Sequence, residues 1–113
     1  PASLRCGAFM IGEVTDRNFA REVEQASMPV LVEFWQPGCG HCLALLRQLE
    51  QLHEELGAAV KIVTMNVQEN FQIPAELEIS SLPALALFEG GSFARFIGGI
   101  GKKDEIRRQL SLG

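Results

Sequence analysis

The chain has 113 residues, of which 47% are hydrophobic and 21% charged, a composition typical of a globular domain. Its net charge of −4 argues against nucleic acid or an anionic membrane surface as the main partner, because both select a basic face. No apolar run reaches the roughly 18 residues of a membrane-spanning helix, and no repeat or linker divides the chain. We expect a single domain over residues 1–113, with residues 1–8 as a disordered N-terminal segment.

The first predicted elements are a short strand and a helix. The segment FMIGEV at 9–14 has the composition of a strand. It is followed by Thr15 and Asp16, both good N-cap residues, and then by apolar residues four positions apart. This pattern predicts a helix that ends near Ala26.

The next segment predicts a buried strand followed by the longest helix. Val30–Trp35 is a short β-branched and aromatic run interrupted by Glu33, as in a strand covered by helices on both faces. In Cys39–Leu56 the apolar residues recur in steps of three and four, and Gly57 stands where a C-terminal cap is expected. A cysteine pair therefore opens this helix.

The rest of the chain predicts a strand, a short helix, a hairpin and a last helix. The corresponding segments are Val60–Val67, Ala75–Leu77, Ala84–Phe88 with Ser92–Ile97 around the turn EGG, and Lys102–Leu112. Strands that alternate with helices form parallel crossovers, and the closing hairpin is antiparallel. The sequence thus predicts an α/β fold with a central mixed sheet of about five strands flanked by about four helices.

The cysteine pair admits three interpretations: a metal site, an inert buried pair, or a dithiol that opens and closes as a disulfide. As a dithiol, Cys39 lies in the first helical turn, where free N–H groups and the helix dipole stabilise a thiolate. His41 adds a positive charge or a hydrogen bond, and Cys42 returns to the apolar helix face and should be the more buried sulfur. Cys39 would then attack a target disulfide, and Cys42 would resolve the mixed disulfide.

The other two interpretations have less support. A structural zinc usually takes two pairs of ligands, and no second C-x-x-C or H-x-x-x-H is present. The candidate ligands are Cys39, Cys42, His41, His53 and Cys6. An inert pair is disfavoured because Gly38 and Gly40 beside it are unfavourable in a purely structural segment. Cys6 is most simply a surface cysteine, with a regulatory thiol or an intermolecular bridge as alternatives.

Two further residues carry chemical hypotheses. Glu33 lies at the centre of a buried strand, where a carboxylate is unfavourable unless it is paired or has a chemical role. Below the helix start it could have a raised pKa and accept the proton of Cys42, whereas an edge or water-facing position is the alternative. Pro83 stands at the entry of a strand, where a missing N–H is tolerated and a trans bond is the default.

With these residues in place, the chain resembles the thioredoxin family from about Phe9 to Leu112. The matching pieces are VLVEFW leading to CGHC, the NV that closes the third strand, SSLPALALFEGG, and a glycine before the last helix. The resemblance implies the thioredoxin fold, with Cys39 as the attacking thiol and Cys42 as the resolving one. It also implies a cis bond between Leu82 and Pro83 that faces the pair.

The resemblance further implies how the protein works. The residues expected to contact an extended substrate segment are Trp35, Gly38, Gly40, Leu82, Pro83 and Gly98. The expected partners are disulfide-containing target proteins and a thioredoxin-reductase-like electron donor, and the expected cofactor is none beyond the Cys39–Cys42 disulfide. With three cysteines and no secretory profile at the N-terminus, we expect a monomer in the reducing cytoplasm.

The sequence departs from the family pattern at five positions. Gly38 stands where thioredoxins usually have Trp, Glu33 replaces the buried Asp, and Arg47 replaces the helix-kinking proline. Thr64 replaces the lysine that accompanies the buried carboxyl, which should raise the pKa of Glu33 further. His41 replaces the family's usual proline and gives the CGHC motif of protein disulfide isomerase domains. A histidine that favours the thiolate stabilises the reduced state and so makes the protein a stronger oxidant. A protein disulfide reductase is therefore the leading prediction. An oxidase or isomerase, or a docking module with idle thiols, are the alternatives.

Overall fold

The computed structural model describes residues 11–110, so predictions about Cys6, residues 1–8 and Leu112 lie outside the described part of the chain. Within it lie five strands, three α-helices, a short 3-10 helix at Gly57–Ala59 and one N-terminal helical segment of π-type, Ala20–Glu24. The strands are β1 (Gly12–Glu13), β2 (Val30–Trp35), β3 (Lys61–Asn66), β4 (Ala84–Glu89) and β5 (Ser92–Phe96). The α-helices are α1 (Gly40–Leu56), α2 (Gln72–Glu76) and α3 (Lys103–Arg108). Among residues 11–110, no helix is long and apolar enough to cross a membrane.

The five strands form one mixed sheet in the order β1-β3-β2-β4-β5. β3 is parallel to both β1 and β2, whereas β4 is antiparallel to β2 and β5. The predicted α/β fold, with parallel crossovers followed by an antiparallel hairpin, is confirmed. The central strand β2 has neighbours on both sides, so its continuous apolar run is explained by burial on both faces.

The two faces of the sheet are covered by different helices. Alternate residues of β2 point to opposite sides because the side-chain period of a strand is two. One face packs with the N-terminal helical segment and α2. The other packs under α1 and α3, through Leu45, Leu49, Leu52 and Ile106. Glu33 is on this second face, between Leu31 and the disulfide end of the strand.

The first helix is shorter than predicted. Of its two expected N-cap residues, Thr15 accepts the Asn18 N–H through its Oγ1 atom at 3.3 Å, whereas Asp16 is used elsewhere. The helical segment is confined to Ala20–Glu24, and Asp16 does not cap it. Instead, the Asp16 carboxylate accepts hydrogen bonds from the backbone N–H groups of Phe71, Gln72 and Ile73 at 2.8–2.9 Å. Asp16 therefore caps the N-terminus of α2.

The remaining helix boundaries differ from the predicted ones by small amounts. α2 lies at Gln72–Glu76 rather than Ala75–Leu77, because the capping carboxylate fixes its start before Pro74. α3 spans Lys103–Arg108, and the C-terminal part of the predicted helix lies partly outside the described residues. α1 ends as predicted at Gly57, which has a φ of 55° and donates its N–H to the His53 carbonyl.

The hairpin turn between β4 and β5 is formed by Gly90 and Gly91, as its sequence predicted. Glu89 pairs with Ser92, so the turn has two residues, and their φ values are 61° and 84°. Two positive φ values are the pattern of a type I′ turn, which glycine favours. A Cβ on Gly91 would lie 2.5 Å from the backbone oxygen of Glu24, so the turn also packs tightly against the N-terminal helical segment.

Candidate functional site: a disulfide at the start of a helix

The chain turns sharply between β2 and α1, and this turn presents Cys39. The Cys39 N–H donates to the Gln36 carbonyl at 3.3 Å, with Pro37 and Gly38 between them. Gly38 has a φ of 87°. Proline followed by a residue with φ near 80° is the pattern of a type II turn. The backbone thus explains why Gly stands at 38, since a side chain there would be strained.

Cys39 and Cys42 are joined by a disulfide, and their Cα atoms are 5.2 Å apart. Cys39 is the N-cap of α1, and its sulfur accepts a hydrogen bond from the Cys42 N–H at 3.1 Å. Cys42 is 3% exposed, whereas Cys39 is partly exposed, as the helical spacing predicted. When the bond is reduced, the same N–H groups can stabilise a Cys39 thiolate.

Glu33 lies on the same face of the sheet as the helix that carries the disulfide. It is 1% exposed, and among the described residues its Oε2 atom has no hydrogen-bond partner. Burial raises its pKa from 4.5 to about 8. Thr64 on β3 pairs with Glu33 in register. The position beside the carboxyl, where the family pattern has a lysine, is therefore occupied by an uncharged side chain.

A cavity of about 820 Å³ connects the disulfide with this carboxyl. Of the residues predicted to form the site, the cavity brings together Cys39, Cys42, Glu33, Trp35, Gly38 and Gly40. The cavity also includes Thr64 and a carboxylate from β1, Glu13. A buried acid and a buried sulfur thus share one space, which is the arrangement that proton transfer between them requires.

The other predicted site residues do not line this cavity. His41 is exposed in the first turn of α1. The Leu82–Pro83 peptide bond is cis, as the resemblance implied. It directly precedes β4, whose Ala84 pairs with Phe34, so this bond lies at the same end of the sheet as the disulfide.

Gly98 lies at this end of the sheet as well, because the neighbouring Ile97 N–H donates to the Leu85 carbonyl. The Gln109 side chain holds both backbone groups of Gly98, accepting from its N–H at 3.1 Å and donating to its carbonyl at 2.7 Å. A Cβ at Gly98 would meet nothing within 4 Å. The Gln109 hydrogen bonds therefore fix the backbone at Gly98, and the side of Gly98 on which a Cβ would lie remains open.

Sequence reasoning missed Glu13 as a residue of this site. Burial raises its pKa, and the Glu69 carboxylate raises it further. Glu13 reaches the cavity through the pairing of β1 with β3. No local pattern around Glu13 indicates that pairing, because β1 has only two residues.

The described residues also bear on the zinc interpretation. Cys39 and Cys42 are bonded to each other. Between residues 11 and 110, no group of three or more His, Cys, Asp or Glu side chains is arranged to hold a metal ion. His53, one of the candidate ligands, lies in the last turn of α1, whereas the two sulfurs are at its start.

Comparison with known proteins gives one consistent family. The thioredoxin family model matches residues 10–111. A thioredoxin of Rickettsia felis is 42% identical over 82 residues, covering 73% of this chain and 78% of the relative. Thioredoxin 1 of a Nostoc species is 33% identical over 98 residues, covering 87% of this chain and 92% of the relative. A thioredoxin of Porphyra purpurea is 34% identical over 101 residues, covering 89% and 94%.

Proposed function

The chain belongs to the thioredoxin family and is a thiol–disulfide oxidoreductase, and on this basis we propose that it reduces protein disulfides through Cys39 and Cys42. The observation that carries this proposal is the disulfide at the N-terminus of α1, with one sulfur partly exposed and the other buried near a carboxyl. Such an arrangement provides an accessible nucleophile and a sheltered resolving thiol in the same turn.

In the first step, the Cys39 thiolate attacks one sulfur of the target disulfide. A mixed disulfide forms between Cys39 and the target, and the second target sulfur leaves with the electron pair and takes a proton. The first-turn N–H groups of α1 and the helix dipole stabilise the thiolate before attack. His41, exposed in that turn, adds to this stabilisation when it is protonated and so shifts the redox potential towards an oxidant.

In the second step, Cys42 attacks the Cys39 sulfur and releases the reduced target. Cys42 must first lose its proton, and Glu33 is the acid–base group in the shared cavity. Its pKa of about 8 is close to that of an ordinary thiol near 8.5, so transfer in either direction is nearly balanced. The domain is left with its Cys39–Cys42 disulfide, which an external dithiol donor reduces again.

The target segment lies, in this proposal, along the end of the sheet that holds the disulfide. Trp35, Gly38 and Gly40 border the sulfur on one side, and the Leu82–Pro83 and Gly98 loops approach it from β4 and β5. We further propose a single-domain monomer that acts in the cytoplasm, with a thioredoxin-reductase-like donor and no cofactor beyond its disulfide.

Insulin reduction tests this function. With dithiothreitol as electron source, the wild-type protein should accelerate insulin precipitation, and Cys39→Ser should abolish the acceleration. Cys42→Ser should instead accumulate a mixed disulfide with its target, visible by non-reducing electrophoresis. A Cys39→Ser protein that is still fully active in cells would support the docking-module alternative.

The CGHC motif favours an oxidase or isomerase as a second candidate function. Equilibration with glutathione separates the two, because thioredoxins and disulfide isomerases have potentials of about −270 mV and about −180 mV. A measured value near the second figure would assign the protein to oxidation or isomerisation. His41→Pro should then move the potential towards the first figure.

A further inference from the structure

Three side chains that carry oxygen atoms form a row across the sheet beneath the disulfide. Glu13 on β1 pairs with Thr64 on β3, and Thr64 pairs with Glu33 on β2. Residues paired in register point to the same face, and neighbouring strands are about 4.8 Å apart. The two carboxylates therefore flank the threonine within a span of about 10 Å between their backbones.

The cavity around this row is lined by carboxyl groups and, within residues 11–110, by no cationic side chain. Among the described residues that line it are the carboxylates of Glu13, Glu33 and Glu50, and no Lys, Arg or His. Lys61 pairs with Glu22 and Lys103 with Glu55. Arg47 lines a neighbouring surface pocket that shares Glu50, Leu43 and Leu46 with this cavity. Glu33 is 1% exposed, and no described residue forms a hydrogen bond with its Oε2 atom.

The remaining walls of the cavity are largely apolar, and both cysteines of the disulfide line it. Ile11, Trp35, Leu43 and Leu46 provide the apolar surface, and the Gly38–Gly40 segment forms the edge next to Cys39. Such a space fits a side chain with a long hydrocarbon stem and a compact cationic end, which describes lysine.

We propose that this cavity binds the side-chain ammonium of a lysine close to the disulfide of the target protein. The proposal rests on the proposed reductase function, since it places the lysine on the same target segment. The ammonium group donates to the exposed Glu13 carboxylate, and the same row places it next to Thr64 and the buried Glu33, whose ionised form it favours. The methylene stem packs between Trp35 and Leu46 while the target sulfur meets Cys39.

Binding of the ammonium favours the ionised carboxylates, so it is coupled to their protonation. The titratable groups around Glu33 are Glu13 from β1, Glu50 and the thiols from α1, and none from β4, whose paired residue is Leu85. Burial raises the pKa of both Glu33 and Glu13. The preference for lysine should therefore grow as the pH rises from 6 to 8.

Matched peptide disulfides test the proposal. Lysine is placed in turn at each of the three positions on either side of the target cysteine, and norleucine replaces it in the control peptides. For at least one position, kcat/KM for the lysine peptide should exceed that for norleucine by about tenfold, the value of one charge-assisted contact. Glu13→Gln should remove most of this preference, measured as the ratio of kcat/KM for the lysine peptide to that for the norleucine peptide. Glu89→Gln, which removes an equal charge at the far end of β4, should keep the preference.

Equal rates for lysine and norleucine at every position would overturn the proposal. So would a preference that Glu89→Gln reduces as much as Glu13→Gln, because the lysine would then respond only to net charge. If neither peptide is reduced, the proposed reductase function fails. The cavity is then tested separately on the oxidised protein by the effect of n-butylammonium on the Glu33 carboxyl resonance, with n-butanol as control. A resonance that does not move, or that calcium ions move more than n-butylammonium does, would exclude an ammonium site.

Discussion

Replacing Glu33 with glutamine should stabilise the oxidised protein, and the gain should increase with pH. Glu33 is 1% exposed, and burial raises its pKa from 4.5 to about 8. Each pH unit of pKa difference corresponds to about 1.4 kcal/mol, so the shift corresponds to about 5 kcal/mol. Since domains of this size have unfolding free energies of about 5–15 kcal/mol, the effect should be large. Glutamine has nearly the same shape and no charge to bury.

The sign follows from the protons bound in each state. Between pH 4.5 and about 8, Glu33 is protonated in the folded protein and ionised in the unfolded chain. The folded state therefore binds more protons, and the free energy of unfolding falls as the pH rises through this window. Above about pH 8 the carboxyl is ionised in both states and the loss is complete. Glu13, whose pKa is also raised by burial, gives a weaker slope of the same sign that remains in the variant.

Urea denaturation of the oxidised proteins at pH 5, 7 and 9 measures this effect, because the cysteines do not titrate while they are bonded. The wild-type protein should lose about 3–5 kcal/mol between pH 5 and 9, and Glu33→Gln should remove most of that loss. Glu50→Gln, at an exposed carboxylate of the same cavity, is the matched control and should keep the wild-type slope. Parallel slopes for wild-type and Glu33→Gln would refute the argument that burial holds this carboxyl neutral.

Four further substitutions test the fold and the substrate surface. Gly91→Ala should cost about 3 kcal/mol or more in thermal or urea unfolding, because its Cβ would lie 2.5 Å from the Glu24 backbone oxygen. Gly90→Ala in the same turn should cost only about 1–2 kcal/mol, and equal costs would contradict the close packing. Asp16→Ala removes an acceptor that receives three N–H groups of α2 and should cost about 1–2 kcal/mol, whereas an unchanged urea midpoint would show that the cap is not needed. Gly98→Ala should leave stability within about 0.5 kcal/mol and raise KM for insulin severalfold, since its Cβ points into open space; an unchanged KM would place the target segment elsewhere.

The element order could be predicted from sequence because each element carries its own local pattern. β2 is a continuous β-branched and aromatic run, α1 repeats leucine in steps of three and four up to Gly57, and the Gly90–Gly91 turn has its own signature. The first helix could not be predicted in the same way. Its apparent N-cap, Asp16, instead caps α2, and nothing in the local sequence indicates which helix a capping carboxylate will meet.

The residues of the site likewise differ in whether a local sequence pattern identifies them. The cysteine pair and Glu33 were identifiable because a helix start and a charged residue in a buried strand are local signals. Glu13 was not, since it joins the site only through the register of β1 with β3. The cavity was likewise not predictable, because it is the space left between side chains of three separate strands and α1, Thr64 among them.

Glu33 also provides the clearest way to separate structure from chemistry in this protein. If the carboxyl were only a buried polar residue, Glu33→Gln would stabilise the fold at high pH and leave the resolution of mixed disulfides unchanged. If it also takes the proton of Cys42, the same substitution must slow the second step by about 10²–10⁴-fold, the usual contribution of a positioned acid–base group. Stability and rate would then move in opposite directions in one variant. Rapid-mixing measurements of mixed-disulfide decay at pH 7 distinguish the two cases, and a fast decay in Glu33→Gln would assign the proton to solvent instead.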